Sequence, residues 1–119
     1  MGTSIVANSG GPGLLVVRDA DVDNSAQEAK DSSGRVYGWH VQNPNSSDAW
    51  FQLYDADADD VTVGTTTPKL SLLVPANGAV EAVFPVGVEF ETAITYAATT
   101  TAAGGTDPTT GLVANLFYR

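Results

Sequence analysis

Turn-forming residues divide this sequence into short segments, and their spacing limits the folds that the chain can adopt. Groups rich in Gly, Pro, Asn, Ser and Thr recur at residues 10–13, 32–34, 43–48, 64–68, 75–78, 85–87 and 103–110. No window between them places apolar residues on one side of a helix for three turns. Short segments with frequent turns are typical of antiparallel β-proteins. We therefore predict an all-β fold, an antiparallel β-sandwich or jelly-roll-like arrangement of seven to nine short strands.

Alternating apolar residues locate the predicted strands. They cover residues 14–18, 35–42, 49–55, 69–74, 79–84, 88–91, 93–101 and 112–118, and residues 61–63 are a further short candidate. Residues 35–42 and 49–55 are expected to pair as a hairpin across the turn at 43–48. The Asn-Gly pair at 77–78 predicts a tight turn, because these residues tolerate a positive φ. Residues 24–30 are expected to form a loop or a single helical turn.

The chain has 119 residues, a length that fits one domain. Within it, residues 1–17 are expected to form an N-terminal arm with the first strand, residues 18–34 an acidic connection and residues 35–119 the sandwich body. The arm is expected to extend onto a neighbouring chain and to donate a strand there. The start carries no basic leader, and no apolar run is long enough to span a bilayer.

Charge and composition exclude several classes of function. The formal net charge is −9, and an acidic surface repels phosphate backbones and anionic lipids, so we expect neither a nucleic-acid nor a membrane partner. The absence of Cys excludes disulfides and thiolate catalysis, and the single histidine, His40, leaves little for imidazole chemistry. No G-x-S-x-G motif is present. We expect a non-enzymatic protein, and only Glu89 and Glu91 keep a small hydrolase open.

Two acidic clusters have the alternating spacing that calcium loops use. Asp55, Asp57 and Asp59 form one, and residues 19–24 form the other. Neither has the Gly and Glu that an EF-hand loop requires at its sixth and twelfth positions. The simpler interpretation is a pair of solvated loops whose charges discourage aggregation of sheet edges. No cofactor is expected, although a weak calcium site at these three aspartates stays open.

Several predicted strands are apolar on both faces. A sandwich buries one face of each sheet, so a second apolar face needs another cover, and packing between chains is the simplest one. The candidate interface residues are Tyr37, Trp39, Trp50, Tyr54 and Phe117. The first four could alternatively form a platform on which sugars stack.

The sequence resembles a family of small β-sandwich structural proteins encoded by tailed bacteriophages. The resemblance is carried by residues 33–43 (SGRVYGWHVQN), 50–56 (WFQLYDA), 74–78 (VPANG), 84–90 (FPVGVEF), 92–95 (TAIT) and 115–119 (NLFYR). It covers the chain from about residue 33 onward, and its motifs are structural. It implies a virion component, a capsid decoration or cement protein on the head shell, and it implies no catalytic residues.

We accordingly expect a protein that stabilises the head shell as a homo-oligomer, a trimer, in contact with the major capsid protein. It would be synthesised in the host cytoplasm and located on the capsid surface. The alternative is a carbohydrate- or receptor-binding module of a phage tail, neck or fibre.

Overall fold

The computed structural model describes residues 13–119, so residues 1–12 of the predicted arm lie outside the described residues. Eight strands and one turn of 3₁₀ helix, Ala58–Asp60, make up the regular structure of this part. The strands are β1 Leu15–Val22, β2 Gln27–Lys30, β3 Gly34–Gln42, β4 Ala49–Tyr54, β5 Leu70–Val74, β6 Ala79–Phe90, β7 Ile94–Thr99 and β8 Leu112–Tyr118. Between residues 13 and 119 there is no helix long and apolar enough to cross a membrane.

The strands form two four-stranded antiparallel sheets. Sheet 1 has the order β1-β8-β3-β6, and sheet 2 has the order β2-β7-β4-β5. The first strand pairs with the last, β2 with β7, β3 with β6 and β4 with β5. The chain therefore runs as one long antiparallel ribbon that is rolled up, and the β3–β8 and β4–β7 pairs close the roll. This is a jelly-roll arrangement, and it confirms the predicted all-β sandwich.

The core lies between the two sheets and contains the apolar side chains that alternate along the strands. Trp39 and Val41 enter it from sheet 1, and Phe51 and Leu53 enter it from sheet 2. Trp39 packs edge-on against the Phe84 ring, with ring centres 5.2 Å apart. The apolar residues that alternate along the other strands also lie on this side, such as Leu72 of β5, Ile94 of β7 and Leu116 of β8.

The predicted hairpin of residues 35–42 and 49–55 is wrong, because β3 and β4 lie in different sheets. The turn between them exists, but it carries the chain across the sandwich. The same holds for residues 75–78, where Asn77 has a φ of 54° and the N–H of Gly78 donates to Pro75 O at 3.0 Å. That predicted turn is confirmed, and it leads from sheet 2 to sheet 1. Alternation shows which side of a strand is apolar, but it does not show which strand pairs with it.

The segment predicted to be an acidic connection contains regular structure. β1 continues to Val22, and residues 27–30 form β2, an edge strand that pairs with β7. The loop or helical turn expected at residues 24–30 is therefore wrong for residues 27–30, whereas residues 24–26 do form a loop. Only Ala29 of this short strand packs against the core, so the backbone ladder with β7 outweighs a local sequence with little strand preference.

β6 is longer than expected. Residues 79–84 and 88–91 were predicted as separate strands, but they form one edge strand, Ala79–Phe90, across Pro85. A proline is tolerated here because an edge strand does not need every N–H for pairing. The register with β3 shifts around Tyr37, so Val36 and Trp39 both face inward. Residues 61–63 are not a strand, since Thr65 and Thr66 donate back to Thr62 O in a turn.

Candidate interaction surface

The centre of the outer face of sheet 2 is covered by the chain itself. Side chains on its central strands point away from the core and are nevertheless fully buried; they are Gln52, Tyr54, Thr95, Ala97 and Thr99. The loops after β4 and β7 lie over them. The Thr95 hydroxyl donates to Ala56 O at 2.6 Å, and the Gln52 amide donates to Thr101 O at 3.2 Å. The centre of this face therefore needs no second molecule to cover it, whereas Leu73, which is 44% exposed, and its half-buried neighbour Trp50 lie toward the β5 edge.

A polar network fixes these covering loops to the sheet. Gln52 Nε2 donates to Thr99 Oγ1 at 2.9 Å, and the Ser71 hydroxyl donates to Gln52 Oε1. The Thr99 hydroxyl in turn donates to Thr101 O at 2.7 Å. Buried polar groups need such partners, and the Tyr54 hydroxyl is the exception among the described residues, because it is buried without one. Burial raises the pKa of Tyr54.

The outer face of sheet 1, in contrast, carries an uncovered row of apolar residues. Register places Val16, Phe117, Gly38 and Val83 side by side across all four strands. Their neighbours along the chain pack inward, so this row faces out. Val16 is 56% exposed and Val83 is 71% exposed. We call these four residues the apolar row.

A second row on the same face is polar. It consists of Arg18, Asn115, His40 and Glu81, again one residue from each strand. Arg18 lies on the β1 edge and Glu81 on the β6 edge, and both are exposed. His40 is half-buried between Asn115 and Glu81 and belongs to this surface. We call these four residues the polar row.

Two glycines allow aromatic rings to lie flat on this face. A Cβ at Gly38 would come within 3.2 Å of the Phe117 ring, and one at Gly87 would come within 2.9 Å of the Tyr37 ring. The rings therefore pack where these glycines have no side chain. Val86, 72% exposed, lies beside Gly87 in the irregular part of β6. The result is an apolar strip with exposed valines toward both edges of sheet 1, and exposed apolar residues of this kind occur at contacts with other proteins.

The charges on this face cancel. Arg18 and Arg35 are balanced by Glu81 and Glu89, and Arg35 is the direct cross-strand neighbour of Glu89. The whole chain carries a net charge of −9, so the acidic excess lies elsewhere. Long-range repulsion by acidic partners is therefore weakest at the outer face of sheet 1.

The predicted interface residues separate into three groups. Trp39 and Tyr54 are buried within the chain, so their prediction as surface residues is wrong. Tyr37 and Phe117 are half-buried on the outer face of sheet 1, and Trp50 is half-buried on that of sheet 2. Sequence reasoning missed the most exposed apolar residues, Val16, Val83 and Val86. The sequence does show valines at outward strand positions, but the prediction considered aromatic residues and did not include them.

The aspartates proposed for calcium do not converge. Asp55 binds the β6–β7 turn, with its carboxylate accepting the N–H of Thr92 at 2.8 Å and that of Glu91 at 3.0 Å. Partial burial favours a higher pKa for Asp55, but hydrogen bonds from the turn and the charge of Lys69 outweigh it and lower the pKa. In residues 13–119 no three carboxylate or imidazole groups are placed to hold a metal ion.

The remaining acidic side chains of the two clusters differ in their surroundings. The pKa of Asp57 is raised by desolvation and then by its acidic neighbours Glu28, Asp60, Asp31 and Asp59. In the cluster at residues 19–24, Asp19 accepts the Tyr96 hydroxyl at 2.9 Å, and Asp23 accepts the N–H of Ser25 at 2.9 Å.

The predicted sugar platform is not assembled. Tyr37 lies outside sheet 1, Trp39 lies in the core and Trp50 lies outside sheet 2. A groove of about 400 Å³ opens at the end of the sandwich where the β3–β4, β5–β6 and β7–β8 connections meet, and no aromatic side chain is among its lining residues in the described part of the chain. Asn45 and Thr110, which line it, are hydrogen-bonded to each other.

In comparisons with known proteins, no family model matches this sequence, and no curated protein matches it. The resemblance to phage structural proteins therefore stays a prediction.

Proposed function

We propose that this chain is a non-enzymatic structural protein of a tailed-phage virion, which decorates the head shell and joins other protein chains through the outer face of sheet 1. One observation carries the proposal. Within residues 13–119, the chain covers the centre of the outer face of sheet 2 with its own loops, but it leaves the apolar row on sheet 1 open. An apolar face on a small protein favours protein contacts.

The charge distribution supports the same role. A neutral apolar face within a chain of net charge −9 favours one contact surface and keeps the rest of the molecule from associating. The resemblance supplies the partner, the major capsid protein, and our expectation that the chain acts as an oligomer on the shell. These assignments remain proposals.

The direct test is to locate the chain in particles of the phage that encodes it. We expect it among the proteins of purified virions by mass spectrometry and as density on the outside of the head by cryo-electron microscopy. Density only at the tail or a fibre tip, together with binding on a glycan array, would support the receptor-binding alternative instead.

A second test addresses the surface. Purified chain is added to heads that lack it, and bound protein is measured after sedimentation. Val83→Asp places a charge in the apolar row and is expected to lower occupancy at least tenfold, whereas Leu73→Asp changes an exposed residue, 44% accessible, on the other sheet and serves as the matched control. Equal binding by both variants would contradict the proposed surface.

A further inference from the structure

We infer that the outer face of sheet 1 pairs with the same face of a second copy of this chain, about a two-fold axis that runs parallel to the strands between β8 and β3. The inference rests on the proposed function, which makes this face a contact with another protein chain. It specifies that this chain is a second copy of the same protein. It replaces the trimer expected above with an isologous dimer, in which each contact occurs twice.

The strand order determines which residues would meet. Rotation about this axis places β1 of one copy over β6 of the other, and β8 over β3, because the order is β1-β8-β3-β6. Two sheets that pack face to face keep their strands within about 30° of each other. Each row of cross-strand neighbours therefore meets the same row of the second copy in reverse order.

The polar row is self-complementary under this rotation. Arg18 at one edge faces Glu81 of the second copy, and Glu81 at the other edge faces the second copy's Arg18. Asn115 and His40 lie opposite each other in the middle. Opposite charges at the two ends of a row favour the antisymmetric pairing and oppose a contact in which like charges meet.

The apolar row is complementary in the same way. Val16 faces Val83 of the second copy, and both are more than half exposed in the single chain. Phe117 lies against Gly38, close to the proposed axis, so the two Phe117 rings meet at the centre. Aromatic anchors at the centre of an interface with a polar margin are typical of protein contacts.

A second copy explains the charge pattern better than other occupants. Two chains of net charge −9 repel each other over most of their surfaces, and they meet without that repulsion only where the local charge cancels. Arg18, Arg35, Glu81 and Glu89 make this face neutral. An acidic partner would place negative charge opposite Glu81 and Glu89, and a basic partner would place positive charge opposite both arginines.

The size of the face sets the expected strength. Four strands spaced ~4.8 Å apart and about nine residues long at ~3.3 Å per residue give roughly 570 Å² for each copy. The total, about 1,100 Å², is at the low end of specific interfaces. We therefore expect a dimer that dissociates on dilution, in the micromolar range.

Charge reversal tests the pairing. The full chain is studied by sedimentation equilibrium across a concentration series, and wild type is expected to be dimeric. Arg18→Glu alone and Glu81→Arg alone each place like charges together twice, and each is expected to weaken the dimer by about tenfold or more. The double variant carrying both changes is expected to recover most of the affinity.

Recovery would be diagnostic, because Arg18 and Glu81 lie on opposite edges of sheet 1, with β8 and β3 between them in one chain. They can meet only between chains. Glu91→Arg makes the same charge change in the β6–β7 turn and is expected to leave the dimer intact. Circular dichroism and urea midpoints show that each variant is folded.

Several outcomes would overturn the inference: a wild type that stays monomeric up to about 1 mM, a trimer, single variants that dimerise normally, or a double variant no stronger than the single ones. The virion experiments test the proposed function separately from the dimer. A monomer that still decorates heads would refute the dimer and leave the proposed function standing, and a dimer absent from virions would do the reverse.

Discussion

Asn43 shows how a single buried amide holds one end of the sandwich. Its nitrogen donates to Ser47 O at 2.9 Å and to Val74 O at 3.0 Å, and its oxygen accepts the N–H of Asn45 at 2.9 Å. Asn45 continues the network to Thr110. Three connections between strands are thereby joined through Asn45 and the Asn43 side chain, which is 2% exposed.

Replacing Asn43 by Asp should destabilise the chain strongly. The change removes two donors and places a negative charge where two carbonyl oxygens already point. We expect a loss of about 2–4 kcal/mol in the free energy of unfolding, measured by urea denaturation at pH 7. Ser46→Asp adds the same charge to an exposed position in the same turn and should change stability by less than ~0.5 kcal/mol. Similar losses in both variants would mean that charge alone, and not the buried network, is responsible.

Tyr96 couples the two sheets through its hydroxyl. It donates to Asp19 of β1 at 2.9 Å, and its ring stacks on Phe51 within the core. Burial raises the pKa of Tyr96 far above its ordinary value of 10.0, and the hydrogen bond to Asp19 and the charge of Asp19 raise it further. The folded chain thus keeps a proton that the unfolded chain releases in alkaline solution.

Stability should therefore fall as the pH rises above 10. In this range the unfolded chain binds fewer protons than the folded one, so Tyr96 contributes a loss of up to about 1.4 kcal/mol per pH unit, and Tyr54 acts in the same direction. Urea midpoints between pH 8 and pH 11.5 measure the slope. Tyr96→Phe should be less stable at pH 8, by about 1 kcal/mol, yet show a shallower alkaline decline. An unchanged slope would contradict this assignment.

Among the elements, β3 depends on Gly38 for its contact with both neighbouring strands. A Cβ at this position would meet Ala82 O of β6 and would lie 3.1 Å from the Val83 Cα and 3.2 Å from the Phe117 ring. The backbone atoms cannot yield without disturbing the ladder, so the strain falls on the edge of sheet 1.

Gly38→Ala should cost about 1–3 kcal/mol, in the range of overpacked positions, measured as a shift of the urea midpoint. Gly13→Ala is the control, because a Cβ at Gly13 would meet nothing within 4 Å. If the two variants were equally stable, the close approach of β3 and β6 would not be as tight as described.

The sequence predicted strands better than it predicted their partners. Alternation located β4 and β8, and its apolar positions, such as Phe51 and Leu116, line the core because one buried face imposes a period of two. It could not show that β3 and β4 lie in opposite sheets, since both arrangements bury Trp39 and Phe51. β2 was missed because its pairing with β7, rather than its own side chains, holds it in place.

The surface was predicted in part for a similar reason. Phe117 and Tyr37 lie on the open face, but Tyr54, equally outward on its strand, is fully buried beneath a loop. Whether an outward residue is exposed depends on where distant loops fold, and no local pattern contains that information. The polar row is likewise a product of register across four strands, which only the tertiary structure fixes.

At the scale of the whole molecule, the first and last strands are neighbours. β1 pairs with β8 from Leu15 opposite Tyr118, and the Arg35 and Arg119 backbones exchange two hydrogen bonds beside them. Sheet 1 can be completed only when both β1 and β8 are present. A topology dominated by such distant pairs must close large loops before those pairs contribute stability.

Refolding should accordingly be slow for a chain of this size, in the range of milliseconds to seconds. Stopped-flow fluorescence after dilution from urea can follow it, because Trp39 is 7% exposed in the folded core and becomes solvated on unfolding. Microsecond refolding would indicate that local contacts dominate the transition state.

The loops over sheet 2 have a consequence for how such a molecule could be re-engineered. Within one sandwich, the length of the connections decides which outer sheet face the chain covers itself and which face stays open for contact with another chain. Trimming the segment that shelters Gln52 and Thr95 would expose the outer face of sheet 2 as well, and that face is polar at its centre. Lengthening a connection so that it folds across Val16 and Val83 would, conversely, cover the open face and favour a monomer without altering the core.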